Sequence, residues 1–308
     1  MQEPAYVALL QSGELDRRVA AAMARLSCCE LCPRRCRVNR SQGEFGFCAT
    51  GRHALISSAG PHFGEEAPLV GRRGSGTIFI ASCNLGCDFC QNDEISHERL
   101  GREVTADEWA DLMLRLESQG CHNINIVTPS HVIPALLEAL AAAARRGLRL
   151  PLVYNTGGYD HPDALALLEG IVDIYMPDFK FWDGAVSDRY ARAPDYPEWA
   201  RKAVREMHRQ VGDLEVGPDG IARRGLLVRH LVLPEGRAGT LEVCRFLVRD
   251  VSVDTYVNIM DQYDPLGKIP PGDPLARRIT PAEYAEALKH ARHTGLWRFD
   301  ERRSRFRF

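Results

Sequence analysis

Six alternations of a short apolar run with a helix-like segment predict an α/β fold built on a parallel sheet. Three observations carry this. The runs are short for helices, they stop at cysteine, proline, asparagine or glycine, and each leads into a segment with helical spacing or an identifiable cap. Strands and helices that alternate in this way fold as parallel strands joined by right-handed crossovers. Periodicity leaves an open doubly wound sheet and an incomplete barrel equally compatible. In both, function gathers at the carboxyl ends of the strands.

The first run is Thr77 to Ser82, ending at a cysteine loop. Thr105, with Glu108 three residues on, is a capping box that opens a helix through Leu112 and Leu116. Ile124 to Val127 is the second strand. A helix rich in alanine and leucine follows from Val132 to Arg146, with Gly147 as its stop. Leu150 to Tyr154 is the third strand, running into Asn155-Thr156-Gly157-Gly158. A short helix after Pro162 leads to the fourth strand, Ile171 to Met176, which ends at Pro177-Asp178-Phe179-Lys180. Phe181 to Pro197 reads as irregular, and a helix through Arg209 follows. Gly217-Pro218-Asp219-Gly220 is a turn. Leu226 to Leu233 is the fifth strand, stopped by Pro234; Thr240 to Arg249 is helical, and Thr255 to Met260 is the sixth strand. Thr280-Pro281-Ala282-Glu283 caps the last helix, with proline at its first position.

At 308 residues the chain is long enough for a full α/β core with one small appendage. Hydrophobic residues make up 45% and charged residues 26%, so the composition is that of an ordinary globular protein. A formal net charge of -2 gives no electrostatic footprint for nucleic acid or a membrane surface. No apolar run reaches the length of a membrane span, and the N-terminus lacks a signal-peptide pattern. The ten cysteines are clustered rather than spread as a disulfide framework, which points to metal ligation in a reducing cytoplasm.

Cys83, Cys87 and Cys90 form a C-x3-C-x2-C triplet directly after the first strand. Zinc normally takes four ligands, and no fourth is nearby, because Cys121 lies a strand–helix unit downstream. Three thiolates on one loop suit a four-iron cluster with one iron left open to a ligand that is not protein. Phe89 stands between the second and third cysteines, and Gln91-Asn92 follow. This stretch resembles the radical S-adenosylmethionine superfamily, and within it the stand-alone proteins similar to pyruvate formate-lyase activating enzyme. The resemblance implies a partial (βα)6 barrel with a Cys-rich N-terminal extension, the extension covering residues 1–70 and the barrel 71–308.

The resemblance further implies that Cys83, Cys87 and Cys90 hold a [4Fe–4S] cluster whose open iron binds S-adenosylmethionine. Reductive cleavage would release a 5′-deoxyadenosyl radical for hydrogen abstraction. Phe89 would pack near the adenine. Asn155-Thr156-Gly157-Gly158 resembles the family's Asp-Thr-Asn-Gly, with Asn155 in place of the aspartate. Asp178-Phe179-Lys180 resembles its Asp-Leu-Lys, which places Lys180 on the methionyl carboxylate or ribose and Asp178 in the same loop. Arg229 stands on an otherwise apolar strand and needs an anionic partner or a wet cavity. Tyr263 lies where the family has a ribose-contacting histidine. Thr128-Pro129-Ser130-His131 replaces the family's Gly-Gly-Glu, so that role passes to no named atom. The implied partners are a flavodoxin- or ferredoxin-type reductant and, as substrate, a glycyl-radical enzyme, a peptide or a small molecule. A non-catalytic iron–sulfur electron carrier is the rival reading, although such a carrier needs no strand–helix body of this size.

A second cysteine group lies in the leader. Cys29-x2-Cys32-x3-Cys36 is followed by Cys48, with Gly43, Gly46 and Gly51 flanking it. Four thiolates in one glycine-punctuated segment suit zinc or a second iron–sulfur cluster. One of Cys28 and Cys29 is spare, and Cys121 and Cys244 read as small core residues.

Overall fold

The computed structural model describes residues 3–266 and 268–300. Among the described residues nine strands form the sheet: β1 (Ala54–His62), β2 (Ser75–Ile80), β3 (Arg102–Val104), β4 (Ile124–Val127), β5 (Leu152–Thr156), β6 (Ile174–Pro177), β7 (Glu215–Val216), β8 (Ala222–Leu231) and β9 (Tyr256–Met260). The six expected strands are β2, β4, β5, β6, β8 and β9. They pair in parallel in that order. The sheet is not closed, since β9 and β2 do not pair, and the architecture is that of a partial barrel.

Alternation along the strands separates two faces. Ile78, Ile126, Leu152, Tyr154, Tyr175, Leu226 and Val228 belong to the main core, which includes the helices outside the sheet. Val153, Ile174, Met176 and Leu227 point the other way and pack with Leu69, Leu214 and Ala222 as a small apolar plug. Nearer the carboxyl ends the inner face turns polar, because Arg229 pairs in register with Asn258 on one side and Asp178 on the other.

Both expected capping boxes form, at Thr105 with Glu108 and at Thr280 with Glu283. The alanine-rich helix runs from Ile133 to Arg145, and all but three of its residues are buried. Cys121 and Cys244 are core residues, as expected.

The departures have local causes. Within Phe181 to Pro197, expected to be irregular, Gly184–Ala191 is a helix; the Asp183 carboxylate caps it by accepting from the Ala185 and Val186 amides at 2.8 and 3.0 Å. The fifth strand starts earlier than expected, at Ala222, because β7 folds back on it antiparallel across the Gly217–Gly220 turn. The third and fourth strands begin later than expected, at Leu152 and Ile174. Two strands precede or interrupt the repeat: β1 pairs antiparallel with β2, and β3 with β1.

A short C-terminal segment covers the other edge. The Val257 amide donates to the Arg298 carbonyl at 2.9 Å, and the Asp300 amide donates to the Val257 carbonyl at 3.0 Å. The Asp300 carboxylate also accepts from the Tyr256 hydroxyl at 3.0 Å and from the Ala67 amide at 3.1 Å. Residues 298–300 thus tie β9 to the start of the Ala67–Val70 helix. Among the described residues no helix is long and apolar enough to cross a membrane.

Candidate cofactor site at the cysteine loop

Strand β2 delivers the chain to Ser82, which takes a left-handed backbone at φ 71° and turns it into the cysteine loop. The loop has little secondary structure of its own and is pinned from several sides. The Gly86 and Asp88 amides donate to the Ala191 and Tyr190 carbonyls at 3.2 and 2.9 Å. Asn84 donates its amide to the Tyr159 carbonyl at 2.6 Å, Gln91 donates to the Gln262 carbonyl at 2.9 Å, and Arg34 of the leader donates to the Asn84 carbonyl at 3.0 Å. The Gly184–Ala191 helix therefore helps to fix the loop.

The three cysteines of the loop share one environment. Cys87 is buried, and Cys83 and Cys90 are half-buried. The Leu85 amide donates to Cys83 Sγ at 3.3 Å, and Cys90 Sγ lies 3.0 Å from the Ser96 hydroxyl. Burial pushes the Cys83 and Cys87 thiols up to about 12. The charge of Cys90 adds to this at Cys83, those of Cys83 and Cys90 add to it at Cys87, and nearby Lys180 opposes it in both cases. Thiols in this state stay protonated at neutral pH unless a cation holds them as thiolates. The donor set therefore fits an iron–sulfur cluster, with an amide and a lysine charge facing its sulfurs. Phe89 is buried beside the loop, edge-on to Phe181 at 5.9 Å and to Tyr263 at 5.6 Å. The Tyr263 hydroxyl donates to the Leu275 carbonyl at 2.7 Å.

A polar wall stands next to this trio. Asp178 accepts from Lys180 Nζ at 2.6 Å and from Arg229 Nε at 2.7 Å. Arg229 also donates to Asn155 Oδ1 at 2.7 Å and lies 3.6 Å from Glu65. Burial alone would raise the Asp178 pKa, but the Arg229 and Lys180 charges outweigh it and hold the carboxyl below its ordinary value. Asn155, Asp178, Lys180 and Arg229 are thus one connected group, placed where strands β5, β6 and β8 end or pass.

Tyr196 staples two of the loops involved. Its hydroxyl accepts from the Lys180 amide at 2.8 Å and stands 3.0 Å from both the Gly157 and Asp178 carbonyls. Gly158 has φ +78°, and a Cβ there would clash with the Asp178 carbonyl oxygen. Gly158→Ala is therefore expected to destabilise the fold by about 2 kcal/mol or more, through strain and a displaced Asp178, as read by urea denaturation; an unchanged midpoint would contradict this.

Some residues of the wall were not visible in the sequence. Glu65 and Glu66, in the loop before Ala67-Pro68, turn inward and are buried; Glu66 accepts from Asn258 at 2.8 Å. Two adjacent carboxylates in a loop ordinarily signal a solvated turn, so no local signal marks them. Ser130, in the stretch that stands where the family has Gly-Gly-Glu, is engaged with Thr156 at 2.9 Å, and Thr156 donates to buried Asp160 at 2.6 Å.

A family model described as the radical SAM superfamily matches residues 77–221. An uncharacterised protein of Methanocaldococcus jannaschii, MJ0674, is 30% identical over 290 residues, covering 92% of this chain and 79% of that protein. Residues 77–221 of the chain thus form a radical SAM superfamily domain. A solved structure of TYW1 with a lysine–pyruvate adduct bound is also similar, with a TM-score of 0.42 and 9% identity over 70% of this chain and 73% of that one. Members of the superfamily generally bind a [4Fe–4S] cluster and S-adenosylmethionine.

Proposed function

We propose that this radical SAM chain cleaves S-adenosylmethionine reductively and passes the resulting radical to a hydrogen donor. One observation supports it most: three thiols of one loop stand beside a buried lysine–aspartate–arginine group suited to an aminocarboxylate. A [4Fe–4S] cluster bound there would supply the electron and an open iron for the cofactor.

The chain's own groups would do the rest. Cys83, Cys87 and Cys90 would hold the cluster. Lys180 would offer a point charge to the methionyl carboxylate, with Asp178 fixing its position. Arg229 and Asn155, joined to each other, would complete the polar side, while Phe89 and the ring of Tyr263 would form the apolar side against the adenine. The Tyr263 hydroxyl is spent on Leu275, so its contribution would be its ring.

The likeness of the cysteine loop and of Asp178-Phe179-Lys180 to activating enzymes supports a protein glycine as the hydrogen donor, with a flavodoxin- or ferredoxin-type reductant. A peptide or small molecule would use the same pocket. The leader cysteines are candidates for a second metal, zinc or iron–sulfur, beside it. Anaerobic, reduced protein incubated with S-adenosylmethionine is expected to yield 5′-deoxyadenosine and methionine. An intact cluster with no such products would instead favour a simple electron carrier. Deuterated cofactor identifies the donor, since reversible abstraction carries label into it.

A further inference from the structure

The leader folds around a cavity lined by Cys29, Cys32, Cys36 and Cys48, with Arg40 and His131 among its other walls. Cys28, the neighbour of Cys29, is exposed, so Cys28 is the spare. Cys29 and Cys32 are buried and Cys36 and Cys48 half-buried, and all four line this one cavity. The Phe47 amide donates to Cys36 Sγ at 3.4 Å, and a side chain at Gly46 would collide with that sulfur.

Two further groups at this cavity lack their natural partners. Arg40 is buried, at 3% exposure, yet it meets only the Gly51 carbonyl, the His131 carbonyl at 2.8 Å and Cys29 Sγ at 3.7 Å. Among the described residues no carboxylate pairs with it. A buried guanidinium without a counter-charge is costly. His131 is 1% exposed; its Nε2 lies 3.1 Å from the Ala81 carbonyl, which can only accept, so Nε2 carries the proton. The Nδ1 lone pair has no partner. An anionic centre in the cavity would supply the counter-charge that Arg40 lacks.

We propose that this cavity holds a second iron–sulfur cluster, ligated by Cys29, Cys32, Cys36 and Cys48, with Arg40 as its counter-charge and His131 against it. A thiolate-ligated cluster carries net negative charge, which supplies what Arg40 lacks. Among the described residues no three or more His, Cys, Asp or Glu side chains are arranged to hold a single metal ion, in the leader or in the Cys83 loop. Tetrahedral zinc would need its sulfurs drawn to ~3.8 Å from one another, whereas here a cavity lies between them. The two sites are adjacent: His131 lines the leader cavity and touches Ala81, two residues before Cys83.

The inference stands apart from cofactor cleavage and is tested without it. Full-length protein isolated anaerobically is expected to hold about eight irons per chain, and the Cys83→Ala/Cys87→Ala/Cys90→Ala variant about four. The remaining iron should give a reducible electron paramagnetic resonance signal that does not change with S-adenosylmethionine. Wild type with about four irons, a triple variant with none, or one zinc per chain would overturn the proposal. Should the triple variant fold poorly, Cys32→Ser/Cys36→Ser must lose about half the iron and keep the cofactor-responsive signal; full iron there would also overturn it. His131→Ala is expected to keep its iron and shift the midpoint potential of the leader signal, and an unchanged potential would remove His131 from the site. Eight irons with no cleavage would defeat the proposed function and leave this inference standing.

Discussion

Cys87→Ala is expected to bring 5′-deoxyadenosine formation down to that of a protein-free control. Cys87 is the most deeply buried of the three loop thiols. Loss of one of three ligands frees a second iron and lets water or thiol reductant compete for it, so cofactor binding and cluster retention should fall together. Cys121→Ala is the matched control: Cys121 is buried in the core a strand–helix unit away, and its removal should leave cleavage intact. Chromatographic quantification of 5′-deoxyadenosine, with iron counted on the same samples, decides the matter. Normal turnover by Cys87→Ala would refute the ligand assignment.

Arg229→Met should cost about 3–5 kcal/mol of stability, because it leaves buried carboxylates without their shared cation. Asp178 would retain Lys180, Asn155 would lose the guanidinium, and Glu65 would lose its nearby charge. Chemical denaturation with a linear extrapolation measures the loss. Because the folded-state pKa of Asp178 is lowered, its contribution is complete above its unfolded value, about pH 4, and fades as pH falls through the folded value. In Arg229→Met that acid-side gain should shrink. Adding Glu65→Gln to Arg229→Met should recover part of the loss, since a buried carboxylate that has lost the guanidinium charge is then gone. A single variant as stable as the parent would mean that the cluster of charges is solvated rather than buried.

The cysteine trio was legible because its chemistry is local: spacing, a preceding strand and an intervening aromatic all lie within one short stretch. The six parallel strands were legible for the same reason, as short apolar runs with clear stops. Strand β1 was not, since Ala54–His62 carries Ser57, Ser58, Gly60 and Pro61 and is shaped by its place at the sheet's side rather than by its own pattern. The Gly184–Ala191 helix hid behind its glycine start, though Asp183 was a usable cap signal. Glu65, Glu66 and the Tyr196 staple depend on contacts between segments far apart in the chain, which no window of sequence contains. Asn155, Asp178, Lys180 and Arg229 were read from strand ends, and the sheet brings them into one hydrogen-bonded group.

The C-terminal stretch at residues 298–300 gives the barrel a zip rather than a weld. A fully laddered cylinder admits a bulky guest only by tearing backbone pairs strand by strand. Here the flank at β9 is fastened by bonds from residues 298–300, among them those of Asp300, each worth on the order of 1 kcal/mol. Undoing that fastening would loosen the flank at β9 while the cysteine loop stayed anchored on its own, separate tethers.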